Sequence, residues 1–556
     1  MSPDLEALPQ LHSTENPAPA SEAAVVDPTA KFADSQNVAH GVEPIDPAEE
    51  RRLVRKVDWI VLPVLLFVVG LQYYDKAVSG SAAVFGLLKD LDLTTTHVNP
   101  ETGKTVVSTT RYSTAFSAFY WGYIVAVLPF ALLLQRVPLA KTLSACIFLW
   151  GVVTILTVVV GSFEGFVIQR VFLGVLESSV SPGFVMITTQ WYKREEQAKR
   201  LGVWYSATGI FSMFSGLVNF GLGSAHGSLA PWKRMFLFAG ALTMVWSLVV
   251  LFMIPDSPRT SSRWFTPAER ELLMRRTQSN QSGRTELSTI KWRQAKEAVC
   301  DIKIWLFMIM AAGTYVCNGA VTAFATQIIK SFGYTSLQTL ALSIPAGCFT
   351  AVFIYFFTWL SGKWPNSLTY LLPISCLPVI TGAAIIQGAD WSHQGAPLFG
   401  NYLLATFGSP YVLLLALSTA NVAGSTKKSC AYGATFVGYC VGNIIGPYTV
   451  DISQRDVKYR GTWIALYCSL GIVSACSLLL RYIMHRENVR RGPLPAAPVP
   501  STPATGQVET PADTPTLEKT AEAASLTGEK GGTLDRAGDE AEDQTDWENK
   551  SFRYTL

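Results

Sequence analysis

Apolar runs long enough to cross a hydrocarbon core, which takes about 20 residues of helix, recur along the chain. They lie near 59–76, 112–134, 143–160, 163–192, 201–222 and 235–254. A polar stretch from Pro255 to Lys303 follows, and further runs lie near 304–329, 337–360, 368–387, 398–422, 426–450 and 461–483. Six runs, a break and six more predict an all-α membrane protein with twelve transmembrane helices in two six-helix bundles. The bundles are expected at 51–254 and 304–485, joined by a linker at 255–303 and flanked by tails at 1–50 and 486–556. Parallel six-helix halves build one large class of carriers, which hold substrate at the interface of the halves near the membrane midplane.

Lysine and arginine in the short loops set the expected orientation. Arg51, Arg52, Arg55 and Lys56 precede the first run, Arg136 and Lys141 follow the second, and Lys193, Arg194, Lys199 and Arg200 follow the fourth. The central stretch and residues Arg481 to Arg491 are also basic and fall on the same side, so both termini are expected to be cytoplasmic. Lys233, Arg234, Arg455, Lys458 and Arg460 fall on the other side, so the rule is a bias. Within the central stretch, Thr266, Pro267 and Glu269 predict a capping box with proline at the first helical position. It opens a polar helix through Arg276 along the membrane surface.

Composition narrows the function classes. Hydrophobic residues make up 49% of the chain and charged residues 15%, with a net charge of +3; a water-soluble chain of this size would struggle with that balance. No basic stripe interleaved with aromatics marks a nucleic-acid partner. The cysteines lie mostly in apolar runs without metal-ligand spacing, and the histidines lie in tails or loops, so neither a metal nor a cofactor is expected. Met1 to Pro44 lacks the basic and apolar regions of a cleaved signal, which leaves targeting to the first membrane helix. From Gly492 the chain is rich in Pro, Thr, Ala, Glu and Gly, and disorder is expected. Asn280 and Asn549 match a glycosylation pattern on the predicted cytoplasmic side and are discounted.

Four ionisable side chains interrupt the first six runs: Asp75 and Lys76 at the end of the first, Arg170 and Glu177 in the fourth. Each costs roughly 2.5–3.5 kcal/mol at the centre of a membrane helix when alone, so mutual pairing or an aqueous cavity is expected. Residues 170 and 177 are two helical turns apart and share a face. For Asp75 and Lys76 two readings stand: a functional pair in the membrane, or an interfacial pair that snorkels. Glu177 is the candidate proton carrier, and Asp75 the acid held by a cation. A cation in the cavity lets an anionic substrate compete with the acid, which couples binding to protonation.

In the last six runs, Asn421 to Pro447 reads NVAGSTKKSCAYGATFVGYCVGNIIGP. Gly438, Gly442 and Gly446 recur every four residues and predict close helix packing, while Pro447 can break the helix beside Asn443. Asn318, Gln327, Asn421 and Asn443 are polar amides in apolar surroundings, either interhelical bonds or substrate donors. Lys427 and Lys428 are read as topology charges in a turn, and the many tryptophans and tyrosines as interfacial belts.

The strings QYYDK, RVFLGVLESSVSPGF, TQWYKREEQAKR and the NVAGSTKK to GNIIGP block resemble the major facilitator superfamily. Within it the chain is most similar to the anion:cation symporter family, in its fungal allantoate and nicotinate permease branch, from about Asp58 to His485. The resemblance implies an Asp75–Arg170 pair, proton carriage by the two carboxylates, and carboxylate contacts from Tyr73 and Lys76. It also implies a polar substrate contact from Asn443. Lys76 stands where sugar-acid relatives have arginine, which loses planar bidentate geometry. The superfamily's loop motif is degenerate here, reading LLLQRVPLAK with Gln135 and no aspartate.

The expected function is secondary active transport: proton-coupled symport of a small organic anion or carboxylated nutrient by alternating access, as a monomer in a fungal plasma membrane. Its partners are the substrate, protons and the lipid bilayer. Export of a metabolite and a non-transporting nutrient sensor are the alternatives. An enzyme is not expected, because no set of nucleophile, base and orienting group emerges.

Overall fold

The computed structural model describes residues 46–556 except 99–104, 135, 194–195, 197–199, 201–202, 279–290, 365, 493–543 and 551. The expectations for residues 1–45, Gln135, Asn280 and most of the tail lie outside the described residues. The chain divides into two compact units, one ending at Arg55 and the other running Lys56–Leu556. In the first, residues 47–55 are helical, with Glu49 and Glu50 in the opening turn and Arg51 donating to the Pro47 carbonyl at 3.0 Å.

Among the described residues, twelve long helical segments carry the fold. They are α1 (Pro47–Ala82), α2 (Thr110–Leu133), α3 (Leu139–Leu156), α4 (Phe163–Trp191), α5 (Ala207–Ser224), α6 (Pro231–Met253), α7 (Ile302–Ser331), α8 (Ser336–Lys363), α9 (Leu368–Gly388), α10 (Gly395–Ala420), α11 (Ser425–Tyr448) and α12 (Arg460–Arg490). Among the described residues, nine are both long and apolar enough to cross a membrane, all but α1, α5 and α11. Each segment overlaps one apolar run of the sequence. An antiparallel hairpin between α1 and α2, β1 (Thr95–Val98) with β2 (Thr105–Ser108), has no counterpart in the sequence reading.

Local chemistry explains the irregular places. After α1 a wide turn spans Ala83–Leu87, where Gly86 adopts φ 105°, a conformation open to glycine. In α4, Pro182 has no N–H for the carbonyl four residues earlier. There the helix breaks at Ser178–Ser179, whose hydroxyls turn back to the carbonyls of Val175 and Leu176 at 2.7 and 2.8 Å. Glu177 therefore ends a helical piece at a break. The capping box is present: Thr266 N–H donates to Glu269 Oε2 at 2.8 Å, and Glu269 N–H to Thr266 Oγ1 at 3.2 Å, opening a helix over Pro267–Gln278.

Glycines set the tightest helix pairs. A Cβ at Gly438, Gly442 or Gly446 of α11 would collide with the carbonyls of Met308, Ala312 and Val316 of α7, so the expected close packing is present. Gly122 of α2 and Gly174 of α4 make the same contact in the first six helices, against Val171 and Phe119. Contrary to the expected break, α11 continues through Pro447 to Tyr448. Its carbonyls at Ile444 and Pro447 accept from Ser117 and Ser113 of α2 at 3.0 and 2.9 Å. Near the ends of α1 and α7, Thr326 donates to the Gly80 carbonyl at 2.7 Å and Lys330 to the Val84 carbonyl at 3.1 Å.

The tail departs from expectation. Helix α12 continues past residue 485 to Arg490, and residues 544–550 and 552–556 fold back onto the last helices. Asp546 is fully buried there, and Tyr554 nearly so.

Candidate functional site

The break at Ser178 presents Glu177 toward α1, where Lys76 Nζ donates to Glu177 Oε1 at 3.0 Å. Glu177 is fully buried, and its other oxygen has no hydrogen-bond partner among the described residues. The Lys76 ammonium also lies 4.9 Å from the centre of the Phe119 ring. A small cavity is lined by Lys76, Phe116, Phe119, Tyr120 and Arg170. Three of the four charged residues singled out in the sequence thus converge, and all four lie in α1 and α4.

The pairing differs from the one the resemblance implies. Arg170 makes no salt bridge among the described residues; its Nη2 donates to Ser79 Oγ at 2.5 Å, and the guanidinium lies 4.7 Å from the Phe166 ring centre. Asp75 instead accepts from the indole of Trp150 in α3 at 2.5 Å and from Thr154 Oγ1 at 3.4 Å. Among the described residues, Asp75 Oδ1 and Arg170 Nε have no hydrogen-bond partner. The physical reason is rotational: successive residues of α1 point about 100° apart. Asp75 therefore faces α3 while Lys76 faces α4. At 2% exposure Asp75 does not snorkel.

The amides separate. Asn318 Nδ2 donates to Asn443 Oδ1 at 2.7 Å, Thr322 donates to Asn318 Oδ1 at 3.1 Å, and Asn443 Nδ2 donates to the Tyr439 carbonyl at 2.9 Å. This pair bonds α7 to α11. Gln327 is buried, with its amide beside the Tyr112 side chain of α2. Asn421 ends α10 and binds the tail at Thr555, well away from Asn443, which lies about 27 Å along α11 from that helix's start. Its assignment to substrate is corrected. Tyr73 is half-buried in α1 one turn from the Lys76 pair, and its neighbour Tyr74 bonds Asn219 at 3.1 Å.

Sequence reasoning missed the aromatic wall. Tyr315 of α7 packs 4.3 Å from Tyr439 of α11 and 4.5 Å from Tyr411 of α10, and Tyr120 of α2 reaches Tyr439 at 5.8 Å. Tyr205 bonds the Tyr315 hydroxyl at 2.9 Å. These rings sit mid-span between the first and last six helices, so the reading of tyrosines as interfacial belts does not hold for them. For Tyr120, Tyr315, Tyr411 and Tyr439, a position in the middle of an apolar run was the available signal.

The Major Facilitator Superfamily profile matches residues 65–447. The chain belongs to the major facilitator superfamily. It is 32% identical to an uncharacterised transporter of Schizosaccharomyces pombe over 92% of this chain and 91% of that one. It is 28% identical to the allantoate permease of Saccharomyces cerevisiae, over 92% and 88% of the two chains. Among solved structures, a proton:xylose symporter bound to 6-bromo-6-deoxy-D-glucose aligns with TM-score 0.57 at 14% identity, covering 77% of this chain and 95% of that one. The superfamily fold, the multi-pass membrane location and transport rather than enzymatic chemistry follow.

Proposed function

We propose that this transporter is a proton-coupled symporter of a small organic anion, working by alternating access between bundles at 51–254 and 304–485. The observation that carries the reading is the Lys76–Glu177 pair beside a cavity that also reaches Arg170. A proton on Glu177 removes the negative partner of Lys76, and the carboxylate of a substrate replaces it. The net charge of the site is the same before and after, so the loaded and empty forms cross the membrane without an extra buried charge. Tyr120, Tyr315, Tyr411 and Tyr439 supply aromatic faces and hydroxyls for the rest of the substrate, and Gln327 a side-chain amide. Similarity to an allantoate permease supports an anionic substrate. The basic loops favour cytoplasmic termini.

The deciding experiment is uptake of radiolabelled carboxylates, ureides and vitamins at graded external pH in cells expressing the chain. Acid-stimulated uptake of an anion is expected, and Glu177→Gln is expected to abolish the stimulation. Stimulation that survives unchanged in Glu177→Gln removes the coupling assignment.

A further inference from the structure

Residues 544–550 and 552–556 are held by a site built from six separate elements. Asp546 is fully buried, bonds Lys303 in the first turn of α7, and pairs at 2.7 Å with Lys427 in the first turn of α11. Lys427 also meets Glu297 of the short helix Trp292–Cys300 at 2.6 Å and Asp301 at 2.8 Å. Buried Lys427 is therefore not the topology charge the sequence suggests. Thr545 Oγ1 donates to Glu297 at 2.9 Å and lies where Gly424, at φ 90°, lacks a side chain; a Cβ there would come within 2.9 Å of Thr545. Tyr554 donates to Asp546 at 2.7 Å beneath the Lys303 ammonium.

The backbone beyond is held by three asparagines. Asn488 of α12 accepts from Tyr554 N–H and donates to its carbonyl at 2.9 and 2.8 Å. Asn421 does the same for Thr555 at 2.8 and 2.9 Å. Asn366, in the turn between α8 and α9, accepts from Leu556 N–H at 3.3 Å. Paired donor and acceptor contacts to successive peptide groups, with a carboxylate and an aromatic ring as anchors, are how a groove recognises an extended peptide.

We propose that this end of the molecule is a peptide-binding site whose ligand is the chain's own segment 544–556, and that docking clamps the adjoining ends of α7, α10, α11 and α12 into one block. Docking is intramolecular, so it is favoured by an effective concentration of order millimolar over the same peptide added free. Release loosens the helix ends individually while the α2–α4 pair, which the segment does not touch in any described contact, keeps its packing. The inference stands apart from the transport reading.

The test is hydrogen exchange on the purified full-length protein. The amides of Tyr554 and Thr555 are expected to exchange at least ~10-fold more slowly than in the free peptide. In full-length Asp546→Lys, which sets three cations together, that protection is lost and the first turns of α7 and α11 exchange faster. Labelled peptide 544–556 added to this variant is expected to bind saturably and restore protection, while a scrambled peptide does not. Tyr554→Ala, which introduces no charge, is a second variant with the same expected release. Unprotected Tyr554 and Thr555 amides in the wild-type protein overturn the proposal. So does failure of the peptide to bind both variants while α2 and α4 keep wild-type protection.

Discussion

Lys76 of α1 and Glu177 of α4 form an ion pair, with Nζ and Oε1 3.0 Å apart, the glutamate side chain 1% exposed and the lysine side chain 17%. Removing one partner of such a pair leaves an uncompensated charge, at a cost of about 3–5 kcal/mol, whereas replacing both with neutral groups of similar shape costs far less. Lys76→Met is therefore expected to lower thermal stability in detergent sharply. The double variant Lys76→Met, Glu177→Gln should recover most of the loss. A double variant as unstable as the single one would show that the packing of Lys76 over Phe119 matters more than its charge.

Trp150 holds Asp75 through the indole N–H, and no other nitrogen donor reaches that carboxylate among the described hydrogen bonds. A hydrogen bond to a charged group is worth about 1.5–3 kcal/mol. Trp150→Phe removes the donor and leaves a small cavity where the larger indole was, so it should lower the melting temperature and, by freeing Asp75, alter the pH profile of uptake. Trp150→His, which retains an N–H, should restore part of both. Equal effects of the two substitutions would assign Trp150 to packing alone.

Much of this architecture was legible in the chain. The apolar runs locate the helices because each must bury or face lipid along its whole length, and Thr266 to Glu269 announces its helix through capping chemistry. The charges were found but paired wrongly, since the partner of Asp75 depends on how α1 is rotated against α3 and α4, which no periodicity within one helix encodes. Trp150 was invisible as a donor for the same reason. The docked segment was hidden by averaging: a long polar tail reads as unable to fold, yet Trp547, Phe552 and Tyr554 fall within its last ten residues. Asn421 and Lys427 were misread because their partners lie more than a hundred residues away in sequence.

Gly174 of α4 lets the Phe119 carbonyl of α2 approach to a distance that no side chain allows. Backbone cannot rotate aside as a flexible side chain does, so overpacking here should cost more than the about 1–3 kcal/mol typical of an added methylene. Gly174→Ala is expected to reduce folded yield and to separate α2 from α4, shifting Glu177 away from Lys76. Gly471→Ala in α12 is the control, because a Cβ there meets nothing within 4 Å. Comparable losses in both variants would mean that the α2–α4 approach is not the constraint.

The docked segment should respond to acid in one direction only. Burial alone would push the Asp546 carboxyl up, but Lys303 and Lys427 outweigh it and hold the group below its ordinary value of 3.8. Asp301, Glu297 and the Tyr554 hydroxyl complete its charged and titratable surroundings. A carboxyl depressed in the folded state contributes stability that is fully present above its unfolded value and is lost as pH falls through the lower, folded one. Protection factors at Tyr554 and Thr555 should therefore be level from pH 7 to about 5 and collapse only below about 4. Asp546→Asn removes the charge and should give weaker docking at pH 7 with less loss on acidification. Protection that falls between pH 7 and 6 instead would mean that a group other than Asp546 controls the clamp.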